Sequence, residues 1–486
     1  FYVESPAMRM LLRKLQVDDY LGLVAASSVI RPGVARSGMM RAYIERHRFP
    51  ERRSDAHPVL LEIMPETYGV MVYQEDVIKV AHRFAGLDLG EADVLRRGMS
   101  GKFRSREEFQ KARQAFFDKA RSNGHPEDMV AEVWRQVESF AGYAFAKGHS
   151  ASFAVESYQS LFIKAYWPLE YMTACINNFG GFYRTEFYVH EARLLGGCIA
   201  APCVNTGGYT AGYNPKTRTI TLGFNLVKGV EGAVAATLQK ERQKNGPYRN
   251  LEDVVRRTGI GLEQLLTVIR IGGLRWTGQS KQQLQWEAHF LLGHLPKRTP
   301  TADLFIHAND DISPKQASLR NLPELAGGEE EDAYDEIELL GFSLSSPFNL
   351  LTPAAHARAN CAIPSRALPE FIGRTVTIAG YLVTVKETAT IKGDRMLFGC
   401  FVDREGQWID TVHFPRIAQA FPFRGRGAYL IHGSVHEEFG CVNVNVESME
   451  KLDLKPDPRY DESTPTKVRP PGRKRVPQAR RLPNAS

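Results

Sequence analysis

Between Pro6 and Tyr166 the large apolar residues return every three or four positions, whereas between Thr375 and Glu447 they return every second one. The first spacing puts an apolar stripe on helices and the second an apolar face on strands, so the two stretches cannot share one architecture. The chain therefore folds as separate units, mainly helical first and a β-structure last. Its 486 residues are enough for two to four domains at roughly 100–200 residues each.

The helical stretch covers residues 1–200. Ser5 before Pro6 reads as a cap with proline in the first turn, and Met8, Leu11, Leu12 and Leu15 follow on one face. Similar periods run through Val77 to Phe84, Glu91 to Met99, Glu107 to Ala120, Met129 to Phe140 and Ser150 to Tyr166. Residues 201–224 read as a β-hairpin segment, with alternation from Thr217 to Leu222. Residues 225–295 then carry two compact helical units. One opens at Gly229 and Gly232; the other is split at Gly259 and Gly261. Helix, glycine hairpin, helix lets backbone N–H groups approach a phosphate, since no side chain blocks the way.

Residues 296–365 read as a linker with a short helix near Tyr334, and the acidic run Glu329 to Asp332 as loop. Residues 366–452 hold five candidate strands with a helical insert at Ile417 to Phe421, the pattern of a partly open barrel that binds single strands or oligosaccharides. Lys plus Arg is 62 and Asp plus Glu is 55, a net charge of +7. Seven basic residues and no acid lie between 464 and 486, so the rest of the chain sums to zero. The basic, Pro-rich tail, residues 453–486, has too little apolar surface to pack and is expected to stay solvated or touch polyanions.

No apolar run approaches the roughly 18 residues of a membrane span. The chain opens at Phe1 with neither Met nor a leader pattern, so no secretory signal is expected and it reads as a piece of something longer. Six cysteines with no CxxC pair fit a reducing, cytoplasmic setting, and Cys198 and Cys203 read as buried thiols.

Four constellations carry chemistry, each beside a plainer reading. Arg96 and Arg97, with Lys102 close behind, suit a triphosphate because each guanidinium offers a planar fork of donors. The plainer reading is a helix-surface pair of Asp93 with Arg97. Lys147 to Ser150 stand just before a helix, where unpaired N–H groups attract anions; a cap at Ser150 with a surface His149 is the alternative. Arg31, Pro32 and Gly33 with Arg36 and Arg41 form either a basic turn facing DNA or a plain turn. Thr301, Ala302, Asp303, Leu304 and Phe305 put two adjacent apolar residues in a polar segment, as a docking peptide does or as local packing would. No acidic pair on an apolar strand suits a two-metal centre.

Several strings, in order and covering nearly the whole chain to about residue 450, resemble the bacterial DNA polymerase III alpha subunit, of the C family. They include FYVESPAMRMLLRKL, IRPGVARSGM, ETYGVMVYQEDVIKVA, LGEADVLRRGMSGK, FAGYAFAKGHSASFAVESYQSLFIKAYWPLEYM and VTIAGYLVTVKETATIKGDRMLFGCFVD. The resemblance implies helical fingers over 1–200, a tandem helix-hairpin-helix module over 225–295 and an OB-fold barrel over 366–452. It implies that Arg96, Arg97, Lys102, Lys147 and His149 meet the incoming dNTP, and that Arg31, Arg36, Gly229, Gly232, Gly259 and Gly261 meet primer–template DNA. It further implies a sliding-clamp peptide at Thr301 to Phe305, with Thr301 where the family typically has Gln, and association with other holoenzyme subunits. Ala146 and Gly148 stand where Asn and Ser are common in the family.

The resemblance also implies Mg²⁺ chemistry whose carboxylates lie on a palm outside this chain, so the isolated chain is expected not to polymerise. The alternatives are a non-catalytic DNA-binding or clamp-associated scaffold and a translesion paralogue of the same family.

Overall fold

The computed structural model describes residues 2–30, 38–99, 106–139, 146–293, 327–390 and 392–460. The order of elements is mainly helical, with a small sheet in the middle and a barrel at the end.

Among the described residues, nine helices build the first layer: α1 Pro6–Leu15, α2 Tyr20–Val29, α3 Met39–Arg48, α4 Pro58–Ile63, α5 Gln74–Arg83, α6 Leu89–Met99, α7 Arg106–Ser122, α8 Glu127–Glu138 and α9 Lys147–Tyr166. The Ser5 hydroxyl accepts from the Met8 N–H as the sequence implies, and Met8, Leu11 and Leu15 are buried. One core joins these helices through Met71, Val80, Phe84, Leu95 and Phe116.

A second core unites α10 Pro168–Asn177 and α11 Thr185–Leu194 with a three-stranded sheet and the hairpin helices. The sheet consists of β1 Cys198–Ala200, β2 Gly212–Asn214 and β3 Thr219–Thr221. The expected hairpin is β2 with β3; β1, which pairs parallel to β3, has too short an alternation to be read from sequence. Cys203 is buried but Cys198 is exposed, since β1 lies at the sheet edge; the expectation of a buried thiol there is corrected. The hairpin helices are α12 Gly232–Asn245, α13 Leu251–Thr258 and α14 Leu262–Arg270, followed by α15 Lys281–Gly293.

Glu329 to Asp332 form the first turn of α16 Glu329–Leu339 rather than a loop. Four acids at a helix N-terminus complement its dipole, a signal that acidity alone does not reveal. A further short helix, α17 Pro353–Cys361, precedes the barrel. Residues 453–460 also depart from the solvated tail expected there. Lys455 pairs with Glu330 at 2.6 Å, and Arg459 reaches Asp335 at 2.8 Å and Glu338 at 2.7 Å, so α16 holds this segment.

The barrel comprises β4 Thr375–Ala389, β5 Arg395–Val402, β6 Trp408–His413, β7 Ala428–Glu438 and β8 Cys441–Lys451, with α18 Pro415–Ala420 between the third and fourth strands. It is closed, in the order β4-β5-β6-β8-β7, where the sequence suggested a partly open one. Closure comes from a short parallel pairing of Thr411 with Val444 and Val412 with Asn445, invisible to strand periodicity. The barrel docks on α1: the Arg9 guanidinium lies 3.9 Å from the Trp408 ring centroid, and Lys14 pairs with Glu438.

His413 is fully buried inside this barrel, with Nε2 3.0 Å from the Thr411 hydroxyl and no partner for Nδ1 among the described residues. Burial lowers its pKa from 6.5 to about 4. Below the unfolded pKa the unfolded chain takes up a proton that the folded chain refuses until about pH 4, so stability is complete above pH 6.5 and falls through that window. The loss amounts to about 3 kcal/mol. Urea unfolding followed by tryptophan fluorescence should become easier from pH 7 to 4.5, and His413→Gln should flatten that slope; an equal slope in both proteins would reject the assignment.

Candidate nucleotide and DNA sites

The two cationic segments each contact the first turn of α5. Asp76 is buried and accepts N–H bonds from Val72 at 3.0 Å and Tyr73 at 2.9 Å, which fixes where Gln74 and Glu75 stand. Burial nevertheless pushes its carboxyl above the usual range. On one side Gln74 accepts from Arg96 at 3.4 Å. On the other, both Glu75 carboxylate oxygens accept from the Lys147 backbone N–H, at 3.0 and 3.1 Å.

Helix α6 buries Ala92 and Leu95, and Arg96, flanking that buried face, reaches Gln74. Its start is locked by reciprocal bonds, Glu91 N–H to Asp88 at 2.8 Å and Asp88 N–H to Glu91 at 2.9 Å. Asp93 takes Arg96 at 2.7 Å and Arg97 at 2.9 Å, so the plainer ion-pair reading is present in the structure as well. Both arginine side chains stay partly exposed.

Helix α9 begins at Lys147, three residues earlier than its apolar period suggests. Lys147, Gly148 and His149 are thus its first turn rather than a preceding loop, and Ala146 occupies the cap position. Ser150 is no cap: it is buried, with its hydroxyl 2.5 Å from that of Ser28. The Lys147 ammonium pairs with Glu66, whose carboxyl it holds below the ordinary range, and lies 5.3 Å from the Tyr73 ring centroid. His149 is exposed.

The rest of α9 is inverted relative to an ordinary amphipathic helix. Ser150, Ala154, Ser157 and Ser160 are buried, Ser150 against α2. Phe153, Tyr158, Leu161, Phe162, Tyr166 and the following Trp167 are exposed. Among the described residues these side chains form an exposed apolar face.

The glycine hairpins stand side by side. The Gln264 side chain donates to the Gly229 carbonyl at 2.7 Å and accepts the Glu231 N–H at 2.9 Å, a tie between the two units that sequence reading missed. Gly229 and Gly259 have φ of +87° and +64°, which alone favours glycine there. Gly261 has an ordinary φ of −74°, and a Cβ on it would meet nothing within 4 Å. It stands at the exposed N-cap of α14, a position where glycine is among the favoured residues. Gly232 opens α12 beside the Tyr209 ring.

Arg31, Arg36, Lys102 and Thr301 to Phe305 lie outside the described residues. Among those described, no group of three or more His, Cys, Asp or Glu side chains is placed to hold a metal ion. Asp93, Glu66 and Glu75 are each engaged with a cation or an N–H group, so they do not fit a two-Mg²⁺ centre. No helix among the described residues is long and apolar enough to cross a membrane.

Residues 1–124 match the family model of the bacterial DNA polymerase III alpha subunit finger domain, and residues 196–284 match that of the helix-hairpin-helix motif. The DNA polymerase III subunit alpha of Escherichia coli is 30% identical over 427 residues, which cover 84% of this chain and 36% of the relative. The Vibrio cholerae subunit alpha is 29% identical, with the same two coverages. An error-prone DNA polymerase of Mycobacterium tuberculosis is 28% identical over 466 residues, 93% of this chain and 40% of the relative. The chain thus spans 36–40% of the length of these curated relatives. With the finger model over its first helices, the hairpin model over its second core and this extent of similarity, the chain belongs to the bacterial DNA polymerase III alpha family.

Proposed function

We propose that the chain is the nucleotide-receiving and DNA-gripping portion of a DNA-directed DNA polymerase, and that the carboxylates for its metal ions lie on other polypeptide. The observation that carries this reading is that Arg96 and the Lys147 helix start contact adjacent residues, Gln74 and Glu75. Guanidinium forks at one end and a helix N-terminus with its ammonium at the other form a cradle for a triphosphate. These groups would orient the triphosphate and neutralise it. Divalent metal ions, when present in the complete enzyme, would activate the primer hydroxyl and stabilise the leaving pyrophosphate.

Gly261 supports the DNA part. Open space surrounds this cap, so its missing side chain suits close approach by a backbone phosphate, and the Gln264 tie sets the two hairpins at fixed spacing along one strand. The exposed apolar face of α9 suits the remaining polymerase polypeptide, because the relatives are more than twice as long as the matched region. Replicative and error-prone relatives stand at nearly the same identity, so the proposal is a polymerase of this family rather than one of the two roles.

Fluorescence anisotropy with a labelled primer–template tests the DNA reading. Gly261→Asn, which keeps a favoured cap while adding a side chain, should weaken binding without lowering the unfolding midpoint, and unchanged affinity would reject it. For the clamp peptide, Leu304→Ala with Phe305→Ala should abolish retention on immobilised sliding clamp while sparing DNA binding. Full retention would place that contact elsewhere.

A further inference from the structure

Among the described residues, Arg96, Arg97 and the first turn of α9 each face a carboxylate of the chain itself. Asp93 holds Arg96 and Arg97, Glu66 holds the Lys147 ammonium, and Glu75 holds the first N–H of α9 through both of its oxygens. Three negative side chains thus offset three positive ones. The Glu75 contact differs from the others in kind. Asp93 pairs with arginines three and four residues along its own helix, an arrangement common on helix surfaces, whereas Glu75 reaches 72 residues along the chain to cap another helix. Ala146, at the α9 cap position, has no side chain to cap the N–H groups of the first turn, and the one at its first residue, Lys147, goes to the Glu75 carboxylate.

We propose that Glu75 is a placeholder for the substrate's phosphate: it occupies the anion position at the start of α9 when no nucleotide is bound and is displaced when the triphosphate arrives. The inference rests on the nucleotide reading above. Its physical basis is competition. A helix N-terminus binds one anion at a time, and a bound carboxylate reduces the apparent affinity for phosphate by the fraction of molecules in which it is seated. The seated carboxylate also keeps α9 and α5 in register in the empty state, so the cradle is assembled before substrate enters. Glu75 is then a positioning and selectivity residue, since an anion too weak to displace it would be refused.

The test is equilibrium dialysis of the full 486-residue chain against Mg²⁺ with dATP, and separately against Mg²⁺ with inorganic tripolyphosphate. Glu75→Gln keeps the shape and removes the charge, and is expected to tighten both ligands by roughly three- to tenfold. Arg96→Ala with Arg97→Ala should lose both. Equal dissociation constants for wild type and Glu75→Gln, with loss in the arginine variant, would overturn the placeholder and leave the nucleotide site standing. Weaker binding by Glu75→Gln would make Glu75 a structural support and also overturn it. Absence of binding by every protein would remove the nucleotide site, and the placeholder with it.

Discussion

Replacing Arg96 and Arg97 together with alanine should lower kcat/KM for nucleotide incorporation by roughly 10²–10³-fold in a complete polymerase containing this chain. The two guanidinium groups offer planar forks of donors to an anion that carries its charge on several oxygens. Their present partner, Asp93, is partly exposed and binds them within one helix, an arrangement worth only a few tenths of a kcal/mol, so a triphosphate can displace it. If the arginines act mainly on the ground-state nucleotide, KM rises; if they act on charge that develops as the bond breaks, kcat falls. Unchanged kinetics in both parameters would remove them from the site. Ala92 and Leu95, not the arginines, hold α6 in the core, so the variant should fold normally.

The second large effect is structural. Arg257→Ala should destabilise the hairpin module by about 2–3 kcal/mol, because it removes a nearly buried charged donor and its hydrogen bonds, although Arg256 still faces Asp253. The guanidinium is 12% exposed and ties together three chain segments: it donates to Asp253 at 3.1 Å and to the carbonyls of Glu241 at 2.7 Å and Gly246 at 2.9 Å, under the Tyr248 ring at 4.2 Å. Burial acts to raise the Asp253 carboxyl, but its bonds from Arg256, the Arg249 N–H and Arg257 outweigh that and hold it below the ordinary range. Arg257→Lys should rescue little, since an ammonium cannot reproduce the fork. Urea unfolding measures the loss, and a change under about 1 kcal/mol would contradict the account.

Much of this architecture is legible in the chain because the apolar period is strong where the helices and strands are long. The stripe of Met8, Leu11 and Leu15 and the alternation of β4 each point to a core that exists. Two of the failures share a cause: the deciding partner is remote in sequence. The start of α9 was misplaced because Lys147, Gly148 and His149 carry no apolar period and are capped by Glu75, 72 residues away. Closure of the barrel depends on two residue pairs between β6 and β8. The acidic run at Glu329 resembled loop until the dipole of α16 gave it a place.

The candidate site follows the same pattern. Arg96, Arg97 and Lys147 stood out as cations, but nothing local marked Gln74, Glu75 or Glu66 as the groups between them. The string ETYGVMVYQEDVIKVA contains all three and pointed to the family without revealing their contacts. Gln264 was missed likewise, an ordinary helix glutamine until the two hairpins are seen together.

The central claim is a division of labour, with nucleotide and DNA held on this chain and the metal-binding carboxylates on other polypeptide. Primer extension with Mg²⁺ and all four dNTPs measures it most directly. The isolated 486-residue chain should add no nucleotide to a primer–template that it nevertheless binds, whereas templated extension by that chain alone would contradict the account.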